Sequence, residues 1–147
     1  MTDATTGHRA TLRAIIAAWQ AKDIDGVLAH VADDIVWHYA APGLPPVHGK
    51  AAMARLLQRF LADMHNIRWQ LFAIAEAGDR LLLEGVDAYD TSDGRPVAVP
   101  YAGVLEFRDG RVTGWRDYVD LGVIAAQRQG EAATPHLRAL LAREAVL

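Results

Sequence analysis

The chain has 147 residues, 52% of them hydrophobic and 22% charged, and carries a net charge of −3. Such a chain suits one domain over residues 1–147 with a sizeable core, and its composition excludes a disordered protein. No basic stripe interleaves with aromatics, which argues against a nucleic-acid partner, and the lack of cysteine removes disulfides, thiolate nucleophiles and thiolate-bound metals and fits a reducing cytoplasm.

The opening MTDATTGHRA has no basic region followed by an apolar run, so it does not read as a secretory leader. No apolar stretch approaches the roughly 20 residues needed to span a bilayer, so no membrane partner is expected. Leu12, Ile15, Ile16 and Trp19 recur on one helical face. A short second helix follows over Asp23–His30, with Asp23 as its cap. Ile35–Ala40 reads as a strand with Ile35, Trp37 and Tyr39 on one side. Ala41-Pro42-Gly43-Leu44-Pro45-Pro46 is a loop whose prolines exclude regular structure, and it either lines a pocket mouth or packs on the domain. After Gly49, the stripe of Met53, Leu56, Leu57, Phe60, Leu61 and Met64 predicts a helix ending near His65-Asn66.

From Ile67 onward the pattern is strand. Ile67–Ala75, Arg80–Tyr89, Pro96–Phe107 and Arg111–Leu121 are separated by hairpin-like turns, of which Asp109-Gly110 is the strongest. Leu137, Leu140, Leu141 and Val146 suggest a short amphipathic segment after Pro135. Helices first and antiparallel hairpins afterwards indicate an α+β fold.

Period two then selects candidates. Leu81, Leu83, Gly85, Asp87 and Tyr89 share one strand face, and Trp115, Asp117 and Val119 share another. Asp87 and Asp117 interrupt otherwise apolar faces. A carboxylate there resists ionisation unless paired, which is one way general acids and bases are made; an edge position or an arginine partner is the alternative. The six histidines lack metal-ligand spacing, so no metal is expected. Ser92, in a turn, offers no serine triad. Trp19 and Trp69 read as core packing, while Trp37 and Trp115 share faces with pocket candidates.

Gly114-Trp115-Arg116-Asp117-Tyr118-Val119-Asp120-Leu121, preceded by Gly103-Val104-Leu105-Glu106-Phe107 and the Asp109-Gly110 turn, resembles the end of the limonene-1,2-epoxide hydrolase family. Glu84-Gly85-Val86-Asp87 is similar to that family's Glu-Arg-Val-Asp strand, and Pro42 to Gly49 to its proline-containing loop. The likeness covers residues 10 to 125 and extends to the wider superfamily of SnoaL-like polyketide cyclases, ketosteroid isomerases and nuclear transport factor 2-like proteins.

The resemblance implies a cone-shaped α+β fold, cystatin-like, with a curved, mainly antiparallel sheet and N-terminal helices closing an apolar pocket, commonly as a homodimer. It also implies that Asp117 deprotonates water while Asp87 protonates an epoxide oxygen. Three positions depart from the family: Gly85 stands for an arginine between the acids, and Trp37 and Tyr39 for a tyrosine and an asparagine that hold the water. Gly85 accordingly leaves room for the pocket to extend.

The expectation is a cofactor-independent acid–base enzyme acting on a small apolar oxygenated molecule. Its pocket would be formed by Trp37, Tyr39, Leu83, Gly85, Tyr101 and Trp115. Epoxide hydrolysis leads; isomerisation or cyclisation of a carbonyl compound, and ligand binding without turnover, are the alternatives.

Overall fold

A computed structural model describes residues 4–147. In chain order the elements are α1 (Ala4–Gln20), α2 (Ile24–Leu28), β1 (Val31–His38), β2 (Val47–His48), α3 (Lys50–Leu61), β3 (His65–Ala77), β4 (Arg80–Asp90), β5 (Pro96–Arg108), β6 (Arg111–Val119), α4 (Leu121–Arg128) and α5 (Pro135–Leu141). The six strands form one mixed sheet in the order β2-β1-β6-β5-β4-β3, in which only the β1–β6 pair is parallel. The α+β architecture read from the sequence is the one observed.

Local chemistry sets these boundaries. Asp109 and Gly110 both adopt positive φ, 51° and 75°, which is the backbone hand that lets a two-residue turn follow the twist of β5 and β6. Asp23 caps α2 by accepting from Gly26 N at 2.9 Å. The register slips twice within the β3–β4 pair, once in β1–β6 and once in β5–β6. The two slips in β3–β4 and the one in β5–β6 each set one extra residue on one strand, bulges that add twist and bend the strand, so the sheet curls.

α1 and α3 close the concave side. Leu12, Ile15, Ile16 and Trp19 of α1, and Met53, Leu56, Leu57 and Leu61 of α3, are buried in one cluster with Trp69, Leu71, Leu81, Leu83, Tyr101, Leu105 and Trp115 from the sheet. α1 lies along β3. Arg9 Nε donates to Glu76 at 3.0 Å near one end, and Gln20 Oε1 accepts from Trp69 N at 3.3 Å at the other.

Several expected boundaries move. β1 starts at Val31 and ends at His38, and α2 stops at Leu28. α3 stops at Leu61, and His65 and Asn66 open β3, with Asn66 at φ 49°. The last strand ends at Val119, not Leu121, because Asp120 caps a helix absent from the sequence reading, accepting from Gly122 N at 2.8 Å and Val123 N at 3.2 Å. That helix, α4, continues the sheet where β6 has stopped: Gln127 Oε1 accepts from Ala98 N at 2.9 Å and its Nε2 donates to Ala98 O at 2.8 Å.

The tail after Gly130 runs to the sheet edge. Thr134 caps α5, Leu137 is buried, and the chain end pairs with edge strand β3 through Val146 N to Leu71 O at 2.7 Å and Leu71 N to Leu147 O at 2.8 Å. Among the described residues, no helix is long and apolar enough to cross a membrane.

Candidate active site

Between the helices and the concave sheet lies a cavity of about 440 Å³, within the range of roughly 300–1,000 Å³ usual for small-molecule sites. Its wall is chiefly apolar and aromatic. Trp37, Tyr39, Trp69, Tyr101 and Trp115 all reach it, and they form a continuous chain of ring contacts. Trp37 lies 5.4 Å from Tyr39 and 6.2 Å from Trp115 between centroids, Trp115 lies 5.8 Å from Trp69, and Trp69 lies 6.4 Å from Tyr101.

Asp87 on β4 and Asp117 on β6 both project into this cavity. Both residues are partly buried and both line the cavity. Burial pushes the Asp87 carboxyl up to about 7, against the pull of one donor, Trp19 Nε1, at 3.2 Å from Oδ2. Its Oδ1 is buried and has no hydrogen-bond partner among the described residues. Burial likewise pushes Asp117 up to about 7; Trp115 Nε1, at 3.0 Å from Oδ1, opposes the rise, the Asp87 charge adds to it, and Trp37 opposes it. The Trp37 N–H is itself buried and meets no acceptor at hydrogen-bond geometry among the described residues, so its hold on Asp117 is the weaker of the two. No arginine or lysine contacts either acid among the described residues.

Other candidates divide. Trp37, Tyr39, Tyr101 and Trp115 line the cavity; Leu83 and Gly85 do not. Leu83 is spent in the core. At Gly85 the expected extension of the pocket is corrected: a Cβ there would sit 2.4 Å from Gln70 O and 2.7 Å from Leu71 Cδ2. The bulge after Leu71 drives β3 onto this glycine, so Leu71 fills the room the missing side chain would have left. The proline loop is absent from the wall, and its Gly43 packs near Leu121 of α4.

Sequence reasoning missed three contributors. Trp19 and Trp69, read as packing, donate their indole N–H to Asp87 and to the Tyr101 hydroxyl, the latter at 2.6 Å. Gly103 faces Asp117 across β5–β6, and a Cβ on it would lie 2.9 Å from Asp117 Oδ1; its lack of a side chain lets the carboxyl fold over the strand. The signal for Gly103 was present, an inward glycine opposite an inward acid. For Trp19 there was none, because its partner lies 68 residues away.

The mouth is polar. Arg128 of α4 donates to Tyr89 Oη at 3.0 Å and pairs with Asp63. Asp63 also accepts from Ser92 N at 3.0 Å. That bond and its Ser92 and Arg128 neighbours hold the Asp63 carboxyl down at about 2. Among the described residues no three histidines or carboxylates group closely enough to hold a metal ion.

Residues 12–115 match the SnoaL-like domain family. The chain belongs to the SnoaL-like family. The chain is 33% identical over 112 residues to epoxide hydrolase EphG of Mycobacterium tuberculosis, covering 75% of this chain and 71% of that protein. The solved structure of an M. tuberculosis epoxide hydrolase resembling limonene epoxide hydrolase superposes with a TM-score of 0.70 at 29% identity, over 83% of this chain and 89% of that one. A candidate polyketide cyclase from Xanthomonas campestris superposes with a TM-score of 0.68 at 28% identity, over 83% and 97% of the two chains. Proteins named as epoxide hydrolase and as polyketide cyclase thus both resemble this chain, on one shared fold.

Proposed function

We propose that this protein is a cofactor-independent epoxide hydrolase, with Asp117 as general base and Asp87 as general acid. The observation that carries the reading is the pair itself: two carboxyls, both pushed up to about 7, lining one apolar cavity with no cation in contact with them among the described residues. Two such groups share a proton near neutral pH, giving one anion and one neutral acid. Each anion has one indole donor, Trp115 to Asp117 at 3.0 Å and Trp19 to Asp87 at 3.2 Å; in this reading the shorter bond holds the Asp117 anion and the shared proton rests on Asp87. Asp87 lines the cavity wall, and from there its carboxyl donates to a substrate oxygen.

In turnover, Asp117 takes a proton from water as the water oxygen bonds to a ring carbon. The carbon–oxygen bond of the epoxide breaks, and Asp87 passes its proton to the departing oxygen, leaving a diol. Afterwards Asp117 is protonated and Asp87 is the anion, and one proton returned from the first to the second restores the site. The relatives that are epoxide hydrolases, at 33% and 29% identity, support this reading.

The test is diol formation from a panel of cyclic and aryl epoxides. Asp87→Asn and Asp117→Asn are each expected to lower kcat/KM by about 10²–10⁴-fold. The wild-type profile should be bell-shaped and centred near pH 7, because one group must be ionised while the other is protonated. Diol formation indifferent to both substitutions would refute the assignment.

A second reading has its own observation. With Leu71 over Gly85 the acids have alkyl in place of a cation, which suits a dry site where an aspartate moves a proton α to a carbonyl. Exchange of a ketone's α-proton into D₂O, faster with wild type than with Asp117→Asn, would select this reaction; exchange no faster than in buffer eliminates it.

A further inference from the structure

The strand register places Tyr101 directly opposite Gly85 on β4 and Val119 on β6. Two residues away on the same face of β5 are Val99, opposite Asp87, and Gly103, opposite Asp117. The tyrosine thus stands between the two acids on the strand that separates them, next to the position that has no side chain. A Cβ on Gly103 would lie 2.9 Å from Asp117 Oδ1 and 3.2 Å from Tyr101 Cε2, so the carboxylate and the ring edge share the space over one glycine.

The hydroxyl is oriented. Trp69 Nε1 donates to it at 2.6 Å, which occupies a lone pair and leaves the phenolic proton to find another acceptor. Among the described residues that proton has none. A buried O–H without an acceptor is costly, and the cavity it borders is where an oxygen can satisfy it.

We propose that Tyr101 is the third polar group of this site: its hydroxyl, set by Trp69, donates to the oxygen held between Asp87 and Asp117. That oxygen is a water in the resting protein and the substrate oxygen in turnover. A neutral donor thereby does, from β5, what a cation at position 85 cannot do. Burial and the nearby Asp117 and Asp87 charges push the phenol well above its ordinary range, so it remains a protonated donor wherever the acid pair titrates. The other titratable groups around the cavity are Tyr39 beyond β1, Arg59 of α3, Asp63 after α3, Tyr89 of β4 and Arg128 of α4, the last pairing with Asp63 and Tyr89 at the mouth.

The inference rests on the acid–base reading of the pair, yet its test needs no substrate. The carboxyl carbons of ¹³C-labelled aspartate are titrated by NMR in wild type, Tyr101→Phe and Trp69→Phe, with Asp87→Asn and Asp117→Asn used for assignment. Tyr101→Phe should raise the first ionisation of the pair by about half a unit or more, since the water that donates to the anion loses the hydroxyl that polarises it. Trp69→Phe should move it the same way by less. A folded Tyr101→Phe protein whose pair titrates as in wild type overturns the proposal; should that variant not fold, Trp69→Phe decides, and no upward shift there overturns it. A shift seen in a protein that forms no diol keeps the role of Tyr101 and discards only the hydrolase reading.

Discussion

Asp87 and Asp117 cost the fold stability at neutral pH, and the sign follows from where they titrate. Both are raised in the folded state to about 7 from an ordinary value of 3.8, so between about pH 4 and pH 7 the native protein holds more protons than the unfolded chain. Stability therefore falls as pH rises through that window and levels off above it. At roughly 1.4 kcal/mol per pKa unit the combined effect is of the order of several kcal/mol. Asp117→Asn should accordingly unfold at higher urea concentration than wild type at pH 8, by about 2 kcal/mol or more. The gap should narrow through pH 5 and close near pH 4; a constant gap would mean that the carboxyl titrates normally.

At the scale of elements, the bulge in β3 decides what stands beside the acids. By slipping register after Leu71, β3 presses the Gln70 carbonyl and the Leu71 side chain onto Gly85. Gly85→Ala brings a methyl within 2.4 Å of backbone oxygen, a clash that no side-chain rotation relieves, and should destabilise by about 2 kcal/mol or more in chemical denaturation. Neutral stability in that variant would show that β3 can move aside. α4 is the second deciding element. Gln127 reaches both polar groups of Ala98, satisfying backbone that β6 leaves unpaired once it has ended, and so fixes the helix that brings Leu121, Ile124 and Arg128 to the cavity wall.

For the whole molecule, the chain end acts on the sheet edge farthest from β2. Val146 and Leu147 pair with Leu71, and Arg143 lies over the Phe72 ring at 4.4 Å while donating to Glu84 at 2.8 Å. An edge strand otherwise offers unpaired N–H and C=O groups to other chains. Removing residues 143–147 should lower Tm by several degrees and raise light scattering on heating, while the proposed diol formation stays unchanged in the remaining folded protein, because none of these residues lines the cavity. Loss of turnover in the folded truncated protein would show that the tail also shapes the pocket.

The sequence by itself determined the α+β class, the hairpin turns and the inward-facing pair of acids, because helical and strand periodicities and turn chemistry are local properties that hold wherever the segment ends up. Asp87, Asp117, Trp37, Tyr39, Tyr101 and Trp115 are legible in this way, since alternation along a strand tells which side chains look inward. Only the tertiary structure decided that Leu71 fills the space at Gly85, that Leu83 belongs to the core, and that Trp19 and Trp69 hold the acid and the phenol. Those facts depend on which strand bulges, where a helix crosses and which chain atoms meet across tens of residues. Such meetings arise from packing, and packing leaves no period in the sequence.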